Sequence, residues 1–209
     1  GFIFGVTGDD IAVSFDVKGK LRWTNKGPRK NTKVFAAVSP AALGNKVLFP
    51  FSGGSLVALN AVSGIKEWEI NLENSTIGSA SASLGDFASD PVVVGSTIFG
   101  VGAFGETFSA TKSGKVLWRN NIQSSSRLVV SGNSAFYSSN NSLIGRINSK
   151  NGKIVFLKEF TNKGWVKYHG PLLIQNKLLV LATDKNAYWF SPEDGRARRN
   201  LEKKFPLLQ

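Results

Sequence analysis

The chain has 209 residues, with 26 Lys and Arg against 14 Asp and Glu for a formal net charge of +12. Its 42% apolar and 19% charged residues can build a buried core, which excludes a disordered chain, and 22 Gly with only 7 Pro exclude collagen-like and Pro-rich classes. Zero Cys excludes a disulfide framework, a thiolate metal site and a thiol nucleophile, and no apolar run approaches the roughly 20 residues that span a bilayer.

Taken in order, the first apolar run, Phe2 to Val6, reads as a strand, followed by a second from Ile11 to Asp16. Gly19-Lys20-Leu21-Arg22-Trp23 then opens a third. The next unit begins with Pro40 to Leu43, turns at Gly44-Asn45-Lys46, and continues through Val47-Leu48-Phe49 and Ser55 to Asn60. It ends in Gly64-Ile65-Lys66-Glu67-Trp68. The third unit repeats this order with Pro91 to Val94, Gly95-Ser96-Thr97, Ile98-Phe99, Glu106 to Thr111 and Gly114-Lys115-Val116-Leu117-Trp118. The fourth has Leu128 to Val130, Gly132-Asn133-Ser134, Ala135-Phe136-Tyr137, Ser142 to Asn148 and Gly152-Lys153-Ile154-Val155-Phe156. The fifth has Pro171 to Ile174, Gln175-Asn176-Lys177, Leu178 to Leu181, Asn186 to Ser191 and Gly195-Arg196-Ala197-Arg198-Arg199.

The glycines that open the last strand of each unit are 45, 50, 38 and 43 residues apart. Four short strands per unit, joined by Gly, Asn and Ser turns that supply positive φ, form the pattern of a β-propeller blade. No window sustains a 3.6-residue apolar period, so the chain is expected to be all-β. The expected units are 1–27, 28–74, 87–122, 125–160 and 164–201, in a single propeller domain spanning 1–209. Trp23, Trp68 and Trp118, with Phe156 in the equivalent place, are expected to lie largely buried between neighbouring blades, because a large aromatic gains most where two sheets meet. Four to five blades suit either a small closed ring or an arc of a larger one. The chain also lacks Met, including at its first position, and is read as a mature fragment.

Chemistry is sought in the acidic pairs, the single histidine, the serines and one glycine motif. Asp9-Asp10 and Glu193-Asp194 fall in turns and read as turn formers rather than ligands of a hard cation, which needs six to eight oxygens. His169 stands at a strand entrance without a partnered nucleophile. The serines at 79–83 and 124–126 have no base beside them in sequence. Gly100-Val101-Gly102-Ala103-Phe104-Gly105 spells a dinucleotide-binding pattern, but a strand follows where a helix is required, so it reads as a hairpin. The basic residues are spread along the chain apart from Arg196, Arg198, Arg199, Lys203 and Lys204. No nucleic-acid partner is expected.

The Ser-Gly-Lys-x-Leu-Trp blade ending resembles the tryptophan-docking repeat of the pyrroloquinoline-quinone (PQQ) propellers. Two families share it, the quinoprotein dehydrogenases and the BamB family of propeller lipoproteins in the bacterial β-barrel assembly machinery. Asp90-Pro91-Val92-Val93-Val94-Gly95 with Ile98-Phe99, and Tyr188-Trp189-Phe190-Ser191-Pro192-Glu193-Asp194-Gly195-Arg196, resemble stretches of the BamB family. The resemblance implies an arc of an eight-bladed propeller and a non-catalytic scaffold of outer-membrane protein assembly. It further implies a place at the periplasmic face of the outer membrane, with a lipid anchor that is not in this chain. The partner it implies is the central barrel-assembly protein, met by two adjacent loops. These loops map onto Thr32-Lys33-Val34-Phe35 and Asp86-Phe87-Ala88, giving Val34, Phe35, Asp86 and Phe87 as partner-binding residues. Phe35 stands where that family has Arg, and Ala88 where it has a second Asp. No cofactor is expected, neither PQQ nor Ca²⁺. The alternatives are a quinoprotein-like enzyme or small-ligand sensor domain, and a plain adhesion or peptide-binding propeller.

Overall fold

The computed structural model describes residues 1–28, 38–72, 86–103, 106–122, 124, 126–139, 143–159 and 166–201, the last four by backbone alone. Val34 and Phe35 lie outside the described residues. Every described element is a strand, and all strand pairs are antiparallel meanders with neighbours in chain order. Blade 1 has three strands, β1 (Phe2–Val6), β2 (Ile11–Asp16) and β3 (Leu21–Lys26). Blade 2 has β4 (Ala41–Leu43), β5 (Lys46–Phe51), β6 (Ser55–Asn60) and β7 (Lys66–Asn71). Blade 3 has β8 (Val92–Val94), β9 (Thr97–Val101), β10 (Thr107–Thr111) and β11 (Val116–Asn120). Blade 4 has β12 (Val129–Ser131), β13 (Ser134–Ser138), β14 (Leu143–Asn148) and β15 (Ile154–Glu159). Blade 5 has β16 (Tyr168–Ile174), β17 (Lys177–Ala182), β18 (Ala187–Phe190) and β19 (Ala197–Leu201). The expected all-β propeller blades are therefore present.

The blades fall into two compact units, residues 1–123 with blades 1 to 3 and residues 124–209 with blades 4 and 5. In the first unit blade 2 is buried on both faces, which is why β5 and β6 read as unbroken apolar runs rather than alternating ones. Val47, Phe49, Phe51, Val57 and Leu59 pack against Phe4, Val6 and Ala12 of blade 1. Leu48, Leu56 and Ala58 point the other way, toward Phe87, Ile98, Phe108 and Ala110 of blade 3. In the second unit Phe136, Ile144 and Phe156 of blade 4 pack with Leu178, Val180, Tyr188 and Phe190 of blade 5.

Within each unit the repeat aromatic docks on the next blade in sequence: Trp23 on blade 2, Trp68 on blade 3 and Phe156 on blade 5. A Cβ placed on Gly64 would lie 2.6 Å from the Trp23 ring, one on Gly114 would lie 2.7 Å from Trp68, and one on Gly195 would lie 2.6 Å from Phe156. The indole of Trp23 donates to the Ala61 carbonyl at 3.1 Å, and that of Trp68 to the Lys112 carbonyl at 3.2 Å. These glycines also have φ of +71°, +84° and +69°, so the same residue makes the turn and leaves room for the ring. Trp118 and Phe156 are buried, whereas Trp23 and Trp68 are half-buried and so less enclosed than expected.

A β-bulge sets the aim of the aromatic. In blades 1 to 4 the register shifts just before it, leaving Arg22, Glu67, Leu117 and Val155 unpaired opposite the neighbouring strand. The extra residue twists the outer strand and turns the following side chain. The Gly-to-aromatic spacing of the repeat is thus a turn glycine, a short run with a bulge, and a re-aimed ring.

Candidate partner-binding surface

Antiparallel order gives every blade two ends. One carries the turns that hold the repeat glycines. The other carries the middle hairpins and the connections between blades, where Asp86 and Phe87 fall. Asp86 and Phe87 begin the connection into blade 3, and both are buried, at 4% and 3% exposure. The Asp86 carboxylate accepts a hydrogen bond from the Gly53 amide in the blade 2 hairpin, and its carbonyl accepts from the Ala103 amide at 2.7 Å. Phe87 bridges to Gly102 and meets the Phe108 ring edge-on at 6.5 Å. The structure thus places these two side chains inside the blade 2–blade 3 packing, not on an exposed apolar patch. Ala88 follows with its amide on the Val101 carbonyl at 2.8 Å.

The carboxylates at this end grip backbone. Ser52 donates to Asp10 of blade 1 at 3.0 Å, while the adjacent Gly53 donates to Asp86 of blade 3. The blade 2 hairpin is therefore pinned from both sides. Asp90 accepts from the Ser39 amide at 2.6 Å, tying the same connection to the start of blade 2. Sequence reading took Asp9-Asp10 as solvated turn formers, yet Asp10 reaches another blade. No local pattern signals this, because its partner is 42 residues away. Asp194 does behave as a turn former. The Arg196 amide hydrogen-bonds to it and, with Ser191 and the Arg196 charge, holds its carboxyl below its ordinary value.

The other candidates separate. His169 is exposed on β16, opposite Leu181 of β17. Gly100 lies on β9 with the Phe108 ring against it, and Gly102 is in the hairpin that follows, so the glycine pattern is a blade hairpin. Ser124 and Ser138 are buried, with Ser124 Oγ donating to the Ser138 carbonyl at 2.8 Å and Ser138 Oγ to the Gly170 carbonyl at 2.7 Å. Both hydroxyls are engaged in holding backbone. Among the described residues no three His, Asp or Glu side chains gather as a metal site. The surroundings of Glu106 are structural too: it pairs with Arg119, which also donates to the Asn71 carbonyl of blade 2 at 3.2 Å.

Four-stranded blades joined by aromatic-on-glycine docking define a β-propeller of the PQQ-repeat class. The chain belongs to the family of outer membrane protein assembly factor BamB, whose model matches residues 1–158. It is similar to the crystal structure of BamB from Moraxella catarrhalis, with a TM-score of 0.84 and 17% identity over 95% of this chain. The chain spans 60% of the length of that structure. Quinohemoprotein alcohol dehydrogenases share the fold. ADHIIG from Pseudomonas putida HK5 matches with a TM-score of 0.73 and 15% identity over 96% of this chain and 40% of its own. The enzyme from Comamonas testosteroni matches with a TM-score of 0.72 and 14% identity over 96% and 41%. No curated protein sequence matches the chain.

Proposed function

We propose that this chain is part of a non-catalytic scaffold of the outer-membrane β-barrel assembly machinery. In this reading its blades belong to one propeller domain at the periplasmic face of the outer membrane. The observation that supports it is the BamB family match over residues 1–158. The partner is the central barrel-assembly protein, engaged by the connections between blades. Val34 and Phe35 supply the apolar contact, since aromatic side chains dominate interface energetics. Asp86 and Phe87 serve the same surface from beneath, fixing where the connection into blade 3 leaves the core.

The test is binding of the purified central barrel-assembly protein to the parent chain and to Val34→Ala with Phe35→Ala. Loss of more than about 1 kcal/mol, roughly a fivefold weaker Kd, with an unchanged melting temperature is expected. Full-strength binding by the double variant would overturn the assignment of these residues. The shared fold with quinohemoprotein dehydrogenases supports a second reading, a PQQ-dependent enzyme or sensor. A ligand that binds only the folded state raises its melting temperature. Addition of PQQ with Ca²⁺ is expected to leave it unchanged, and a clear rise would favour the second reading.

A further inference from the structure

The turn end of blades 1 to 3 carries a surface unrelated to the blade connections. Each repeat glycine fixes which side chains crown its turn, namely those two places before it and one after. In blade 1 these are Val17 and Lys20, in blade 2 Val62 and Ile65, and in blade 3 Lys112 and Lys115. Val17 is 69% exposed, and Val62 and Ile65 are each 67% exposed, the highest values of any large apolar side chain among the described residues. They do not hold their own turns together. The Asp16 carboxylate does that in blade 1, accepting from the Lys18 and Lys20 amides at 2.9 and 3.0 Å. The Asn60 side chain does it in blade 2, accepting from the Val62 and Ser63 amides at 3.1 Å.

The three turns lie side by side, because Trp23 reaches Ala61 and Gly64, and Trp68 reaches Lys112 and Gly114. The acidic groups nearby are already engaged. Glu67 pairs with Lys46, Glu69 pairs with Lys66 at 2.6 Å, and Asp16 bonds to its own turn. The exposed charge that remains is cationic, from Lys18, Lys20 and Arg22 on one flank and Lys112 and Lys115 on the other. Aliphatic tips on convex turns, ringed by Lys and Arg, suit a fluid anionic surface. A folded protein would have to offer a matching socket for each tip.

We propose that this end of blades 1 to 3 seats on an anionic lipid bilayer. Val17, Val62 and Ile65 enter the boundary between headgroups and acyl chains, and the five cationic side chains meet lipid phosphates. The proposal does not rest on the assembly role above.

The test is co-sedimentation of the 209-residue chain with vesicles of phosphatidylglycerol and phosphatidylethanolamine, and with neutral phosphatidylcholine vesicles at the same salt. Binding to the anionic vesicles is expected to be at least about tenfold tighter. Replacing Lys18, Lys20, Lys112 and Lys115 together by Gln should weaken it more than about tenfold. Val62→Ser with Ile65→Ser, which leaves the charge unchanged, should weaken it about fivefold or more without changing the melting temperature. Because the sequence has no Cys, Ile65→Cys gives one labelling site, and an environment-sensitive fluorophore there should shift to the blue on anionic vesicles. Failure of the parent chain to bind anionic vesicles would overturn the proposal. So would binding without a blue shift, or a serine variant that binds as tightly as the parent. The last result would leave a charge attraction without entry of the aliphatic tips into the bilayer.

Discussion

A methyl group added at Gly64 meets two costs, a backbone at φ +71° and the Trp23 ring 2.6 Å away. At Gly19 the same methyl meets only the first, since φ is +80° and nothing stands within 4 Å. Gly19→Ala should therefore cost about 1–2 kcal/mol. Gly64→Ala should cost a further 1–3 kcal/mol or so for displacing the ring. Chemical denaturation of the two variants measures the difference, and equal losses would mean that the indole is not packed on the turn. The tyrosines offer a second measure. Burial pushes Tyr137 up to about 12, and burial with the nearby Tyr188, Asp184 and Glu159 pushes Tyr168 up to about 12. Burial and the hydrogen bond to Asp184 raise Tyr188 as well. These groups fold neutral, so their contribution to stability is complete below the unfolded value near 10 and is lost as pH rises toward 12. Absorbance at 295 nm should show no phenolate step centred near pH 10 in the folded protein. The recurrence of Gly and Trp was plain in the sequence, but not which Trp covers which Gly, because that pairing is made between blades.

Among elements, the strands were legible because each blade is local in sequence and its turns are marked by Gly, Asn and Ser. The runs expected at Ile11 to Asp16 and Ser55 to Asn60 are β2 and β6 without a shift. The bulges were not legible, since Arg22, Glu67, Leu117 and Val155 share no side-chain chemistry and only the backbone register marks them. The connection at Asp86 was legible as a position but not as an environment. Its sequence looks polar and loop-like, yet its carboxylate and the following ring are buried, with the carboxylate's partner 33 residues away at Gly53. Asp86→Ala leaves that buried amide without its acceptor and should cost about 1–3 kcal/mol. A shifted denaturation midpoint is the check. Any loss of partner binding in this variant has to be read against that shift.

At the scale of the molecule, family membership rests on residues 1–158, and the chain spans 60% of the BamB structure it resembles. The periodic part of the sequence carries the fold, and the aperiodic connections that distinguish a scaffold from an enzyme carry little pattern to read. The docking of aromatic on glycine also gives the blade stack a polarity. Blades 1 and 2 lend their rings forward to blades 2 and 3, and blade 4 lends its ring to blade 5, so within a unit a lost ring uncovers the blade that follows it. In repeat arrays, where stability is a sum of unit and nearest-neighbour terms, such a directed coupling makes one side of a lesion looser than the other. Trp23→Ala strips cover from the turn that follows, where the Gly64 amide bonds to Asn60 and the Asn60 amide to Ile65. The turn of its own blade keeps the Asp16 and Gly19 amide bonds and the grip of the Asp16 carboxylate. Amide hydrogen exchange in that variant should accelerate at residues 60–66 and stay near its parent rate at 16–20, like a zip that opens from one end only.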